Sequence, residues 1–165
     1  MIVLGIDPGL ATMGYGLIEY KSGNFRALDY GVITTPKEAT LPERLRMLEE
    51  SVECLIRRSN PDRIAIEEIF FSKNITTGIA VSEARGVILL TAAKLMNNEI
   101  YEYTPNEIKL AVTGSGYAEK KQMQKMVQMI LKLSDIPKPD DAADALAVAI
   151  THAQSGVMAM NFKVR

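Results

Sequence analysis

The chain has 165 residues and nearly balanced charge, with 19 Lys and Arg against 20 Asp and Glu. This length suits a single domain over residues 1–165, and we find no 18-residue apolar run and no secretory signal, which argues against a membrane protein. The one cysteine, Cys54, excludes an intrachain disulfide and a cysteine-based zinc site, so we expect a cytoplasmic location.

The first part of the chain predicts three strands and a helix. Residues 2–6 form a short apolar run that ends at the turn Asp7-Pro8-Gly9, and residues 15–19 and 26–34 are typical of two more strands. Apolar residues then recur at helical spacing until Asn60-Pro61, which predicts an amphipathic helix.

The remaining chain predicts two strands and four helices. Strands at 63–69 and 100–103 flank a helix from about Gly78 to Asn97, and helices near 106–112, 119–132 and 140–153 follow. We expect the tail after about residue 154 to be short and mobile. The order β-β-β-α-β-α-β followed by helices predicts an RNase H-like α/β fold, with a five-stranded mixed sheet flanked by helices.

Some side chains are predicted to serve the core rather than a site. Cys54 lies beside apolar residues and is expected to be buried. Met123, Met126 and Met129 form a helical stripe that is also expected to be core. The one histidine, His152, is expected to make a structural hydrogen bond rather than to bind a ligand.

Four acids occupy positions that favour a metal site. Asp7 closes an apolar strand, Glu67 lies on the strand at 63–69, and Asp141 and Asp144 share one helix face because they are three residues apart. A carboxylate on a central strand is costly to desolvate unless a charge compensates it. Mg²⁺ prefers such oxygen ligands, and two Mg²⁺ ions would promote phosphodiester hydrolysis.

Each acid also has an ordinary interpretation. Asp7 can belong to a plain turn, and either Glu67 or Glu68 must face outward on a half-exposed strand. Asp141 can be a favourable charge at a helix N-terminus, and Asp144 can be a surface residue. Only the combination of all four acids with the strand order predicts a metal site.

Lysines are concentrated in one part of this weakly acidic chain. Six lysines and two acids lie between Lys109 and Lys138, although the net charge of the whole chain is −1. A local excess of this kind can form a basic face that binds nucleic acid. Charge alone favours a solvated helix surface, and the overall negative charge counts against nucleic-acid binding.

Several stretches, in order and spread over nearly the whole chain, resemble those of one family. They are Gly5-Ile6-Asp7-Pro8-Gly9, Gly14-Tyr15-Gly16, residues 65–70, residues 83–87, and residues 141–147 with Ile150-Thr151-His152. This pattern is similar to that of the RuvC family of crossover-junction endodeoxyribonucleases.

The resemblance implies a Mg²⁺-dependent endonuclease that resolves four-way (Holliday) DNA junctions in homologous recombination and DNA repair. Paired symmetric nicks would leave 5′-phosphate and 3′-hydroxyl ends. The implied catalytic and metal-binding residues are Asp7, Glu67, Asp141 and Asp144, holding two Mg²⁺ ions per active site, for which Mn²⁺ can substitute. The RuvA–RuvB branch-migration complex is an implied partner.

The resemblance also implies a homodimer that forms through the helix from about Gly78 to Asn97. This helix carries an apolar stripe. The stripe can equally be part of the intramolecular core, and the pattern leaves both interpretations open. Its residues are Val81, Ala84, Ile88, Ala92 and Leu95.

DNA contacts follow from the same resemblance. Phe70 matches an aromatic residue that stacks on bases near the crossover, and Phe71 beside it should point to the opposite face. Without the resemblance, both rings would be assigned to the core. The basic residues implied to contact DNA are Lys73, Lys109, Lys120 and Lys121.

Two other classes of function are weighed against this one. Actin-like ATPases and kinases also open with a strand, an Asp-x-Gly turn and a hairpin, but they need a second phosphate loop and a far longer chain. A non-catalytic junction-binding module, or a relative that acts on RNA, is disfavoured by the presence of all four acids. An RNase H-like fold alone does not decide the substrate.

Overall fold

The structure, a computed structural model, describes residues 1–69, 75–97 and 99–164. The strands are β1 (Ile2–Asp7), β2 (Thr12–Lys21), β3 (Asn24–Thr34), β4 (Arg63–Glu67) and β5 (Ile100–Tyr103). The helices are α1 (Leu41–Ser59), α2 (Ile75–Leu95), α3 (Pro105–Thr113), α4 (Lys120–Leu131) and α5 (Asp140–Ser155), and a short 3-10 helix spans Gly156–Phe162. The predicted element order is confirmed.

The five strands form one mixed sheet with the order β3-β2-β1-β4-β5. The first three strands pair antiparallel as a meander, whereas β4 is parallel to β1 and β5 is parallel to β4. The parallel pairs follow from the connections through α1 and α2, because parallel neighbours need a long crossover. The predicted five-stranded mixed sheet is therefore confirmed.

The sheet has a helix layer on each face. Leu4 and Ile6 of β1 belong to the core beneath α1 and α2, whereas Val3 belongs to the core beneath α5. Successive strand residues point to opposite faces, so Gly5 and Asp7 share the α5 face with Val3. Asp7 is therefore placed at the end of β1, on the side of the sheet that α5 covers.

Helix α5 lies unusually close to the sheet because small residues meet there. A Cβ atom at Gly5 would come 2.1 Å from the backbone oxygen of Ala145, and one at Gly16 would come 2.7 Å from the backbone nitrogen of Leu146. Ala145 and Ala149 are fully buried at this contact. The close contact fixes the N-terminal turn of α5 beside the ends of β1 and β2.

The apolar stripe of α2 is part of the intramolecular core. Ala84, Ile88 and Ala92 are completely buried in the cluster that α1 and α2 build on the sheet. The opposite side of α2 is also apolar, since Ile79 is 53% exposed and Leu90 is 57% exposed. The stripe itself is thus core, and a second face of the same helix remains uncovered within the described chain.

Two core predictions are wrong. Cys54 is exposed, because it lies two residues after the buried Val52 and therefore on another side of α1. Met129 is 68% exposed, whereas Met123 is buried. A three-residue step falls short of a 3.6-residue helical turn, so a stripe of three such residues drifts away from the core.

His152 is a structural residue, as predicted. The residue is 2% exposed, and Nδ1 shares a hydrogen bond of 2.9 Å with the Tyr103 hydroxyl. Burial lowers the pKa of His152 to about 4, so the ring stays neutral near neutral pH.

The chain end differs from the mobile tail that we expected. After the 3-10 helix, Lys163 forms an antiparallel bridge with Tyr101, and Val164 donates a 3.0 Å hydrogen bond to the carbonyl of Ile100. Phe162 packs on Tyr103 with a ring separation of 4.8 Å. The aromatic residues of β5 thus provide the surface on which this segment packs.

No helix in the described ranges combines the length and the apolar character that a membrane crossing requires.

Candidate active site

Asp7 and Glu67 lie side by side at the ends of two neighbouring strands. Strands β1 and β4 are parallel, and Ile6 is paired with Ile66, so the next residue on each strand is an acid. Parallel neighbours in register point to the same face, which places both carboxylates on the α5 side. Sheet register therefore brings together two acids that are 60 positions apart in the chain.

Helix α5 adds the two aspartates of its first turns. Asp7 is paired with Gly14 on β2, and a Cβ atom at Gly14 would come 2.0 Å from the backbone oxygen of Asp141. The start of α5 therefore lies directly over the strand next to Asp7. Asp144 follows one helical turn later, with its side chain 18% exposed. All four predicted acids meet at this end of the sheet.

A cavity of about 290 Å³ opens beside these acids, and we call it the acid cavity. Its lining residues are Glu67, Pro105, Ile108, Lys109, Lys120, Met123 and Asp144. Two acids and two lysines are thus among the residues that line it. The cavity is bounded by β4, α5 and the α3–α4 pair.

Asp7 and Glu67 both hold protons more strongly than ordinary carboxyl groups. Burial, followed by the charges of Glu67, Asp144 and Asp141, raises the pKa of Asp7 to about 8. Burial and the charge of Asp144 raise the pKa of Glu67 to about 7. Mutual repulsion of this kind means that the acids are close enough to act on one another.

Lys120 is the cation that pairs with this cluster. Its Nζ atom lies 3.1 Å from Asp144 Oδ2 and 3.4 Å from Asp140 Oδ2. Burial lowers the pKa of Lys120, but the hydrogen bonds and charges of Asp144 and Asp140 outweigh burial and raise it. Burial raises the pKa of Asp144 even though Lys120 opposes the shift. One ammonium group therefore balances only part of the negative charge.

The four acids lie at one end of the sheet but do not form a ligand cage. In the ranges that the structure describes, no three His, Cys, Asp or Glu side chains form a group that could hold a metal ion. Carboxylates without a cation between them repel one another, and Asp144 is paired with Lys120. Sequence analysis therefore identified the acids that meet but not the pairing with Lys120.

The donor set nevertheless fits a hard divalent cation. Asp144 Oδ1 is buried and has no hydrogen-bond partner among the described residues, so one acceptor is left over. The charges of neighbouring acids add to burial in raising the pKa of Asp7 and Glu67, so a cation bound near these carboxylates would be stabilised. Mg²⁺ and related ions bind such oxygen-only sites.

Comparisons with known proteins bear on the family. The sequence profile described as crossover junction endodeoxyribonuclease RuvC matches residues 3–152. The crossover junction endodeoxyribonuclease RuvC of Alkaliphilus oremlandii is 52% identical over 165 residues, covering 100% of both chains. That of Clostridioides difficile is 47% identical over 163 residues, covering 99% of this chain and 96% of the relative.

The chain belongs to the RuvC family. A solved structure of Thermus thermophilus RuvC in complex with a Holliday junction substrate superposes with a TM-score of 0.89, at 34% identity and 96% coverage of both chains. RuvC proteins are metal-dependent nucleases, and family membership over the full length argues against the actin-like alternative. The RNase H-like fold is shared with other resolvases, including the yeast mitochondrial Holliday junction resolvase Ydc2 at 14% identity and a TM-score of 0.70.

The predicted DNA contacts fall into three groups. Lys109 and Lys120 line the acid cavity, and Lys121 is exposed beside Lys120. The other predicted DNA contacts lie outside the residues that the structure describes. They are Phe70, Phe71 and Lys73.

The structure separates the two glutamates of β4 and its continuation. Glu67 lines the acid cavity, whereas Glu68 lines a small cleft on the α2 side together with Arg85 and Glu102. Asp140, which sequence analysis did not single out, also pairs with Lys120. The consecutive acids Asp140 and Asp141 at a helix start were the available signal for it.

Proposed function

We propose that this chain is a Holliday junction resolvase that cuts two strands of a four-way DNA junction symmetrically. The observation that carries the proposal is the meeting of Asp7 and Glu67, on adjacent strand ends, with Asp141 and Asp144 on α5. The relative from Thermus thermophilus was solved with a Holliday junction substrate, which supports the same substrate here. The products would carry 5′-phosphate and 3′-hydroxyl ends.

The metal in this proposal is Mg²⁺, with Mn²⁺ as a substitute, and up to two ions per active site. The residues that would hold it are Asp7, Glu67, Asp141 and Asp144. Bound there, the ion would activate water and stabilise the charge that develops on the leaving oxygen. The all-oxygen donor set and the unpartnered Asp144 Oδ1 support a hard ion over zinc.

The chain's own cations would place the phosphodiester. Lys109 lines the acid cavity from α3, whose start is fixed because Thr104 Oγ1 accepts a 3.2 Å hydrogen bond from the Glu107 amide. Lys120 lines it from α4. These ammonium groups can bind phosphate oxygens and hold the scissile bond over the carboxylates. A nucleophilic side chain is not needed, because water is the attacking group.

A homodimer would place two such sites on one junction. The outer face of α2 presents Ile79 and Leu90 to solvent, and a Cβ atom at Gly86 between them would meet no described atom within 4 Å. An apolar face of this kind on a helix that already contributes to the core favours a subunit interface. Symmetric nicks require this pairing, because each subunit has one acid cluster.

Further parts of the proposal rest on family resemblance. Phe70 or Phe71 would stack on a base near the crossover, and Lys73 and Lys121 would contact backbone phosphates. The RuvA–RuvB branch-migration complex would be a partner, in a cytoplasmic pathway of recombination and repair. Residues 1–165 would act as a single nuclease domain.

A synthetic four-way junction tests the proposal directly. We expect paired symmetric nicks with Mg²⁺, none with EDTA, and none on the linear duplex of the same sequence. An RNA junction of matched sequence is the control for the alternative substrate. Cutting in EDTA, equal cutting of the duplex, or a preference for RNA would contradict the proposal.

A further inference from the structure

Tyr117 is an aromatic residue that the chain itself leaves uncovered. Tyr117 is 99% exposed. Among the large hydrophobic residues that the structure describes, the next most exposed is Met129, at 68%. Large aromatic rings normally bury most of their area, either in a core or at an interface. Neither the carboxylates nor the lysines of the proposed mechanism account for this ring.

The backbone that carries Tyr117 is held in place on both sides. Thr113 Oγ1 accepts a 3.1 Å hydrogen bond from the Ser115 amide, and Ser115 Oγ accepts a 3.3 Å hydrogen bond from the Tyr117 amide. The next residue, Ala118, is 6% exposed, and its amide donates a 3.2 Å hydrogen bond to the Ser115 carbonyl. The loop therefore presents an exposed ring on an anchored backbone, which lowers the entropic cost of binding through it.

The loop connects the two helices that form one wall of the acid cavity. It leaves α3 after Thr113, one turn beyond Lys109, which lines that cavity. It enters α4 at Lys120, whose Nζ lies 3.1 Å from Asp144 Oδ2. Tyr117 is thus three residues from a lysine that touches the acid cluster. Exposed Lys121 follows, and Leu110 on α3 is 56% exposed. The segment that follows Tyr117 therefore carries two lysines and one acid, Glu119, and its net positive charge suits nucleic acid.

We infer that Tyr117 stacks on an unpaired base of the bound junction, close to the scissile phosphate. This inference rests on the proposed junction substrate. Aromatic rings stack on any exposed base, because every base presents a π-face. A continuous duplex offers no free base face, whereas the strands at a four-way crossover do. Tyr117 would therefore contribute to preference for the junction over linear DNA.

Junction binding by paired variants tests the inference. All proteins carry Asp7→Asn, so that DNA stays intact in Mg²⁺, and affinity is measured for a fluorescent junction and for a matched linear duplex. We expect Tyr117→Ser to weaken junction binding by about fivefold or more, as loss of one base stack does, without changing duplex binding. Tyr117→Phe keeps the ring and should bind the junction as the parent does.

A matched exposed residue and a base reporter complete the design. Met129→Ser removes another exposed apolar side chain from α4 and should leave both affinities unchanged. 2-Aminopurine placed next to the crossover should be quenched by the parent and less so by Tyr117→Ser. Unchanged junction binding in Tyr117→Ser, or equal loss for junction and duplex, would overturn the inference. Failure of the unsubstituted protein to cut a junction would instead overturn the proposed function.

Discussion

A Cβ atom at Gly14 would come 2.0 Å from the backbone carbonyl oxygen of Asp141. No side chain fits at this distance, so a strand residue next to Asp7 determines how closely the start of α5 can approach the sheet. The carboxylates of Asp141 and Asp144 are positioned by this contact. Gly14 therefore affects the geometry of the candidate site although it has no side chain.

Gly14→Ala should impair cleavage more than folding. The added methyl group forces α5 away from β2, and overpacking of this kind costs about 1–3 kcal/mol in unfolding free energy. A displacement of catalytic groups by about 1 Å can lower the rate about 100-fold. Junction cleavage measured well below the melting temperature, together with thermal unfolding, separates the two effects. Wild-type cleavage by this variant would show that α5 tolerates the displacement.

The metal-free protein should lose stability as the pH rises. A carboxyl group whose pKa is higher in the folded protein than in the unfolded chain retains a proton on folding, so its contribution to stability disappears as that proton is lost. For Asp7 the window lies between 3.8 and about 8, and for Glu67 between 4.5 and about 7. Melting temperatures measured in EDTA at several pH values report this effect, and Asp7→Asn should make the melting temperature fall less steeply with pH. The prediction would be contradicted if the melting temperature of Asp7→Asn depended on pH as steeply as that of the unsubstituted protein.

Metal affinity should rise with pH over the same range. Protons and divalent ions compete for Asp7 and Glu67, so affinity should increase on the order of tenfold per pH unit for each proton displaced. Calorimetric titration of Mn²⁺ at several pH values below 7 measures the dependence. Affinity that is independent of pH would mean that the ion binds elsewhere.

Removing the Lys120 ammonium group should strengthen metal binding and weaken the metal-free fold. Lys120 pairs with Asp144 at 3.1 Å and so competes with an ion for that carboxylate. In Lys120→Met, thermal unfolding should show a lower melting temperature in EDTA and a larger rise on adding Mg²⁺. The neighbouring exposed residue provides the control Lys121→Met, for which neither value should change. If the two variants had the same melting temperatures in EDTA and with Mg²⁺, the Lys120–Asp144 ion pair would not be competing with the metal.

A charge on the outer face of α2 should separate the proposed dimer. Leu90 is 57% exposed, so Leu90→Glu costs little in the monomer but would bury an unpaired charge in an interface. Sedimentation should show a dimer for the unsubstituted protein and a monomer for this variant, which should also lose paired nicking. Met129→Glu, at another exposed site, should remain dimeric. A dimeric Leu90→Glu protein would place the interface elsewhere.

Much of the fold could be predicted, because the spacing of apolar residues indicates helices and strands, and residues such as proline and glycine mark where they end. β5 was placed at its observed bounds, and the end of α1 at Asn60-Pro61 followed from chain-breaking residues. Errors arose where helical phase decides burial, as at Cys54 and Met129. Local pattern gives the presence of a helix but not which side of it meets the sheet.

The acids of the candidate site could be selected from the sequence, but their spatial arrangement could not. Asp7 and Glu67 are acids on apolar strands, which is a strong local signal, and strand alternation leaves only one of Glu67 and Glu68 facing α5. The choice between them depends on register with β1, which is a tertiary property. The Lys120–Asp144 pair and the Gly14–Asp141 contact join distant parts of the chain, so no local pattern could indicate them.

The convergence of the four acids on a metal is tested most directly by anomalous diffraction from crystals grown with Mn²⁺. We expect anomalous density at the ends of β1 and β4 and the start of α5, within bonding distance of carboxylates from Asp7, Glu67, Asp141 and Asp144, with Lys120 moved away from Asp144. Crystals with Mn²⁺ bound elsewhere, and none between these carboxylates, would contradict the account.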